Sequence, residues 1–181
     1  MFFGRISEYK GLEYLLDSIQ ILYDRQLSVK LIIAGSGNYD FGFDKVLPMN
    51  TGAEAVETAL KLCRKWAYQK KGLAPETAKI IVCDGNFHGR TTTIISFSND
   101  KDARNEFGPY TPGFISISYN DLDALKNALK DDNIAGFMLE PIQGEAGVIV
   151  PDEGYLKEAY NLCKEANFLF IADEIQTGIA R

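Results

Sequence analysis

The first group of residues suited to chemistry is Thr51-Gly52-Ala53-Glu54, which opens a helical pattern. A Thr at the N-cap with a Glu at the third helical position is typical of a capping box. The same helix start could bind an anion, because its free N–H groups and the helix dipole favour a phosphate by roughly 0.3–2 kcal/mol. Gly52 allows a close approach to the backbone. Both interpretations stay open, since a cap satisfies only some of the free donors.

The second group, NFHGRT at residues 86–91, directly follows an apolar run that predicts a strand. It therefore lies at a carboxyl end of the predicted sheet, where ligands bind in open α/β folds. His88 is the only histidine of the chain, and a histidine in such a place could serve in acid–base catalysis. Phe87 could equally belong to the core, and Arg90 could form an ordinary surface ion pair.

Carboxylates follow two further predicted strands. Glu140 and Glu145 bracket a turn that contains glycine, after the apolar run at residues 134–139. They could act as acid and base, bind a metal ion or simply be solvated. Asp173 ends the apolar run at residues 168–172, and it could cap the helix that follows. Each carboxylate alone is weak evidence for a site.

Five short apolar runs predict the strands that position these groups, and amphipathic stripes between the runs predict helices. Strands that are apolar throughout, with helices between them, predict an α/β fold with a mainly parallel sheet covered by helices. Crossovers should be right-handed. The predicted strands are residues 29–34, 79–83, 114–118, 134–139 and 168–172, and the helical stripes are residues 12–22, 56–67, 122–129 and 155–163.

The order of the motifs is more specific than any one of them. Between residues 48 and 178 the chain reads PMNTGAEA, GNFHGRT, EPIQGEAGV and ADEIQTG. These runs resemble, in this order, the pyridoxal-phosphate site of class III aminotransferases, and most closely that of the ornithine aminotransferases. The resemblance spans residues 40–181 and implies the central part of a fold-type-I large domain. It also implies that the partners are an amino acid and a 2-oxo acid, namely ornithine and 2-oxoglutarate, and that the protein is a homodimer.

The resemblance also implies a role for each residue of the motifs. Asp173 would keep the pyridine nitrogen of the cofactor protonated, which makes the ring an electron sink. Phe87 would stack on that ring with His88 beside it, and Gln176 would donate to its phenolic oxygen. Arg90 would bind a substrate carboxylate. Thr51, Gly52 and Ala53 would bind the cofactor phosphate, and Glu140 would line the cofactor and substrate pocket. Glu145 would pair with an arginine that the 181 residues do not contain, so we expect Glu145 to be unpaired.

The sequence ends at Arg181, which is eight residues after Asp173. In this family the lysine that holds the cofactor covalently lies further along the chain than that. The lysines of the aminotransferase-like part, such as Lys61, Lys79 and Lys157, all precede Asp173. We therefore expect no catalytic residue within these 181 residues, weak cofactor binding and no transamination. A non-catalytic α/β binding module is the alternative from another class.

Residues 1–37 resemble another family, the GT-B glycosyltransferases, at the start of their nucleotide-sugar domain. Arg5 and Lys10 would contact the donor diphosphate, and a GxG turn follows the strand that ends at Ala34. An ordinary βαβ opening with surface cations explains the same residues. We therefore predict a glycosyltransferase-like fragment at 1–38 and an aminotransferase-like part at 39–181. We interpret the chain as chimeric or truncated. A sugar-nucleotide transferase is a further alternative for its function.

Composition excludes other classes of function. The net charge of −6 argues against a nucleic-acid partner, which requires a basic surface. No apolar run approaches the roughly 20 residues that span a bilayer, and no signal peptide is visible, so we expect no membrane partner and a cytoplasmic location. The three cysteines are far apart in apolar surroundings, which predicts buried thiols rather than disulfides or a metal site.

Overall fold

The computed structural model describes residues 2–3, 33–34, 47 and 49–178, and the chain divides into two compact units, residues 1–55 with 174–181 and residues 56–173. In the first unit, β1 (Phe2–Phe3) pairs in parallel with β2 (Ile33–Ala34). The predicted helix at 12–22, most of the strand at 29–34, and both Arg5 and Lys10 lie outside the described residues.

The second unit contains a four-stranded parallel sheet. Its strands are β3 (Lys79–Cys83), β4 (Phe114–Ile117), β5 (Ile134–Leu139) and β6 (Leu169–Ala172), in the spatial order β4-β3-β5-β6. All six residues of β5 are buried, as expected for a strand covered on both faces. The prediction of an α/β fold with a parallel sheet is confirmed, and four predicted strands agree with the structure to within one residue.

Three helices occur where apolar stripes predict them, and a short helix that was not predicted lies between them. In chain order the four are α1 (Gly52–Trp66), the unpredicted α2 (Lys101–Arg104), α3 (Leu122–Ala128) and α4 (Tyr155–Glu165). A π-helical turn, Ala67–Lys71, extends α1 and ends at Gly72 in the left-handed conformation. Short 3₁₀ structure occupies Ile94–Phe97. The side chain of Asp121 caps α3 by accepting from the N–H of Ala124 at 2.8 Å.

Helices cover both faces of the sheet. Ile81 and Phe137 pack with Leu125 of α3 and Ala159 of α4 in one buried cluster. Neighbouring residues of a strand point to opposite faces, and at Gly136 an added Cβ would lie 2.7 Å from the Sγ of Cys63 in α1. Gly136 therefore lets α1 approach the opposite face of β5.

All three cysteines are buried free thiols, as predicted. Burial raises the pKa of Cys63, Cys83 and Cys163 to about 12, so these thiols stay protonated and unreactive at neutral pH. In the described part of the chain, no helix has the length and apolar character needed to cross a membrane.

Candidate active site

The central feature of the site is a buried pair formed by His88 and Asp173. The Nδ1 of His88 donates to the Oδ2 of Asp173 at 2.6 Å, and the two side chains are 0% and 2% exposed. The N–H of Asp173 donates to the carbonyl of Leu139 at 2.8 Å and so continues the pairing of β6 with β5. The pair joins the loops that follow β3 and β6 across the carboxyl end of β5.

The second ring nitrogen of His88 distinguishes this position from an ordinary core histidine. Its Nε2 is buried and has no hydrogen-bond partner among the described residues. The ring lies against Phe97, with 6.0 Å between ring centres. Buried polar atoms without partners are rare in folded proteins, so this atom marks a place where a bound group would complete the site.

Glu140 connects the end of β5 to the loop after β3. Its Oε2 accepts from the N–H of Phe87 at 2.9 Å, and the residue is 5% exposed. Burial raises the pKa of Glu140 and the negative charge of Asp173 raises it further, whereas the Phe87 N–H and His88 lower it. The hydrogen bond orients the backbone that carries the half-buried ring of Phe87.

Two buried amide side chains, which motif reasoning passed over, fix the same loops. The Nδ2 of Asn86 donates to the carbonyls of Cys83 at 2.6 Å and Phe97 at 3.2 Å. The Nε2 of Gln143 donates to the carbonyl of Asp84 at 2.8 Å. Both residues stand inside the runs GNFHGRT and EPIQGEAGV. Their place between the predicted site residues was the only signal of this role in the sequence.

Arg90 is exposed and lies at the edge of a cavity. Its guanidinium is 5.4 Å from the centre of the Phe87 ring. Within residues 49–178 it forms no ion pair, so the alternative of an ordinary surface ion pair has no support there. The cavity has a volume of about 440 Å³, and its lining comprises Arg90, Thr92, Ile95, Asp100, Asp102, Ala103 and Phe107.

Glu145 differs from its expectation. It is exposed, but it is not without an interaction partner. The expectation that Glu145 is unpaired is therefore wrong. The reason is that the motif resemblance considers one arginine as partner, whereas an exposed carboxylate can interact with other polar groups.

The first unit contains the predicted helix start. The Oγ1 of Thr51 accepts from the N–H of Glu54 at 3.2 Å, which confirms the cap. The carboxylate of Glu54 accepts from the N–H of Asn50 at 2.9 Å. In a standard capping box it would instead accept from the N–H of the N-cap residue itself, which is Thr51. Because the first N–H groups of a helix have no intrahelical acceptor, those of Gly52 and Ala53 suit an anion.

The remaining predicted residue, Gln176, lies in a turn rather than in a helix. This turn is closed by a 2.8 Å bond from the N–H of Gly178 to the carbonyl of Glu174, and Gln176 is exposed. The structure shows no helix directly after Asp173 within the described residues. The carboxylate of Asp173 instead binds His88, so it does not serve as the helix cap considered from the sequence.

Comparison with known proteins gives a consistent result. The family profile described as aminotransferase class-III matches residues 18–181. The ornithine aminotransferase of Oceanobacillus iheyensis is 60% identical over 138 residues, which cover 76% of this chain and 34% of the relative. That of Plasmodium falciparum is 56% identical over 141 residues, which cover 78% of this chain and 34% of the relative. This chain thus spans about a third of the length of these curated relatives.

Solved structures agree with the sequence comparison. An ornithine aminotransferase from Toxoplasma gondii, described with partial occupancy of PLP at its active site, has a TM-score of 0.76 and 50% identity. The match covers 90% of this chain and 41% of that chain. The acetylornithine aminotransferase of Elizabethkingia anophelis has a TM-score of 0.63 and 54% identity, with 97% of this chain and 43% of that chain covered.

Proposed function

Since the chain belongs to the class III aminotransferases, we propose that it binds pyridoxal phosphate and belongs to an enzyme that transfers the amino group of ornithine to a 2-oxo acid. The observation that carries the proposal is the buried His88–Asp173 pair. A fixed, buried carboxylate at the carboxyl end of a parallel sheet suits the protonated ring nitrogen of this cofactor. The partly exposed ring of Phe87 offers a stacking surface.

The residues of the second unit therefore fit the cofactor. When bound, pyridoxal phosphate supplies an electron sink for the bonds of the amino acid carbon. His88 holds the carboxylate of Asp173 in one orientation through the 2.6 Å bond. Glu140 fixes the backbone of Phe87, and Arg90 offers its planar guanidinium to a substrate carboxylate. We retain Thr51, Gly52 and Ala53 as proposed phosphate ligands, Gln176 as a ring ligand and Glu145 as a substrate residue.

Two lysines with defined contacts bear on covalent binding. The Nζ of Lys71 donates to the carbonyl of Ile134 at 2.7 Å, and that of Lys79 is 2.7 Å from the Oδ2 of Asp131. Both contacts lie at the amino ends of the strands, opposite the His88–Asp173 pair. Neither lysine is therefore placed to bind the cofactor. We propose that the 181-residue polypeptide binds the cofactor weakly, without a site-specific covalent bond, and does not transaminate ornithine.

Cofactor titration tests this proposal. Asp173→Asn should weaken pyridoxal phosphate binding at least tenfold, measured by quenching of Trp66 fluorescence. Asp131→Asn is the matched control, because it removes a carboxylate paired with Lys79 at the other end of the sheet, and it should leave binding unchanged. Equal binding by the Asp173→Asn variant and the unmodified chain would refute the proposed site.

Covalent attachment needs a separate experiment. Borohydride reduction followed by peptide mapping should yield no single stoichiometrically labelled lysine in the 181-residue polypeptide, and ornithine should not be consumed. One fully labelled lysine together with turnover would contradict the inactivity part of the proposal. It would leave cofactor binding by the Asp173 pair intact.

Assembly, location and the amino-terminal segment remain predictions. Sedimentation tests the proposed homodimer, and cell fractionation tests the proposed cytoplasmic location. The latter test is informative because the relative from Drosophila melanogaster is described as mitochondrial. Calorimetry with a sugar nucleotide tests the glycosyltransferase-like segment at residues 1–38, for which we expect no micromolar binding.

A further inference from the structure

A tyrosine outside all four motifs contacts the chain where β5 ends. The hydroxyl of Tyr119 lies 3.0 Å from the carbonyl oxygen of Glu140 and 2.9 Å from that of Pro141. Tyr119 follows β4, and β3 lies between β4 and β5 in the sheet. The side chain therefore reaches past the carboxyl end of β3 to bind the segment after β5.

The hydroxyl of Tyr119 is the donor in both contacts, because carbonyl oxygens only accept. Burial raises its pKa, and the nearby Cys83 and Glu140 raise it further, so the proton stays on the hydroxyl throughout the working pH range. The ring is fixed by an edge-on contact with the buried Tyr155, at 5.6 Å between ring centres and 64° between planes. Tyr119 is thus a rigid donor shared by two carbonyl groups.

These contacts complete a connection across three strand ends. Tyr119 binds the backbone of Glu140, and the carboxylate of Glu140 binds the N–H of Phe87. We propose that Tyr119 is a positioning residue, which holds the Glu140 carboxylate against the Phe87 N–H and so sets the plane of the Phe87 ring. The inference rests on the proposed function, because the ring plane matters only where Phe87 stacks on a cofactor.

The experiment is hydrogen exchange at the Phe87 amide of the cofactor-free chain. Tyr119→Phe removes only the hydroxyl, and a hydrogen bond of about 1 kcal/mol net corresponds to roughly a fivefold change in protection. We expect exchange at Phe87 to be about fivefold faster. Tyr68→Phe is the matched control, because Tyr68 binds the N–H of Ala78 at 3.2 Å beside the amino end of β3, and it should leave Phe87 exchange unchanged.

Two further variants make the test specific to Glu140. In a Glu140→Ala background the added Tyr119→Phe change should have no effect on Phe87 exchange, because the connecting carboxylate is gone. Replacement of Tyr119 by 4-aminophenylalanine, which keeps a donor, should restore protection. Equal acceleration in the presence and absence of Glu140, no acceleration at all, or no restoration would overturn the proposal.

A cofactor arm separates this inference from the proposed function. Tyr119→Phe should raise the Kd for pyridoxal phosphate about threefold, whereas Tyr68→Phe should not change it. If the unmodified chain binds no cofactor, the proposed function fails, and the exchange data still decide whether Tyr119 positions Glu140. If the cofactor binds but exchange and Kd are both insensitive to Tyr119→Phe, only the inference about Tyr119 fails.

Discussion

Replacement of His88 by Phe gives a quantitative test of the buried pair. Phe keeps a ring at this position but lacks the donor that Nδ1 offers to Asp173 at 2.6 Å. A hydrogen bond to a charged group contributes about 1.5–3 kcal/mol. Asp173 has a further interaction, which limits the loss, so we expect a free energy of unfolding lower by about 2 kcal/mol.

The mechanism is tested by a double-mutant cycle with Asp173→Asn. The second change removes the buried charge that His88→Phe leaves without its donor, so the double variant should be at least about 1 kcal/mol more stable than the sum of the single effects. Two changes that act independently would add to within about 0.5 kcal/mol. The sign of the coupling therefore distinguishes a buried ionic hydrogen bond from simple packing.

Urea unfolding followed by the fluorescence of Trp66 is the assay, because this is the only tryptophan of the chain and lies in the second unit. With a slope of about 2 kcal/mol per molar urea, His88→Phe should lower the midpoint by roughly 1 M. Asp131→Asn, in a partly exposed ion pair with Lys79, should shift it by less than about 0.5 M. A His88→Phe midpoint within 0.2 M of the unmodified chain, or an additive cycle, would refute the reasoning.

Two further substitutions and one labelling experiment test the surroundings of the site. Gly136→Ala should lower the free energy of unfolding by about 1–3 kcal/mol through overpacking. The added Cβ would lie 2.7 Å from both the Sγ of Cys63 and the carbonyl oxygen of Leu169. Unchanged urea unfolding would contradict this packing. Glu140→Gln should stabilise the chain at pH values above the raised pKa of Glu140 and have no effect well below the ordinary value of 4.5. The raised pKa of Glu140 means that its neutral form favours folding and that this contribution is lost as pH rises; a pH-independent difference would be inconsistent with this assignment. Thiol alkylation at pH 8 should be slow in the folded chain and fast in urea, because burial raises the pKa of Cys63 and Cys163 to about 12; fast labelling of the folded chain would count against buried thiols.

The sequence predicted the second unit well because its strands are buried on both faces. A run such as IAGFML at 134–139 has no polar face, and such a run between helical stripes is typical of a parallel strand covered on both faces. The spatial order of the strands did not follow from the pattern. β3 lies between β4 and β5, and periodicity contains no information about which strands become neighbours.

The sequence motifs proposed residues for the candidate site but not the contacts between them. Asp173 and His88 are 85 positions apart, so their pairing depends on strand order. Motif reasoning assigned both to the same ring and did not predict a bond between them. Tyr119 lies in no motif, and its contact with Glu140 depends on the distance across β3. Contacts that join the ends of different strands are set by tertiary structure, which single-sequence patterns do not specify.

The strand order has a consequence for the newly made chain. β3 needs β5 as a neighbour, but β5 begins about fifty residues after β3 ends. At a synthesis rate of about 5–20 residues per second, β3 leaves the ribosome roughly 3–10 s before β5 is available. During this interval four consecutive apolar residues of β3, Ile80 to Cys83, have an unpaired edge at the position that β5 later occupies. An unpaired apolar edge of this kind can pair with another chain until β5 covers it.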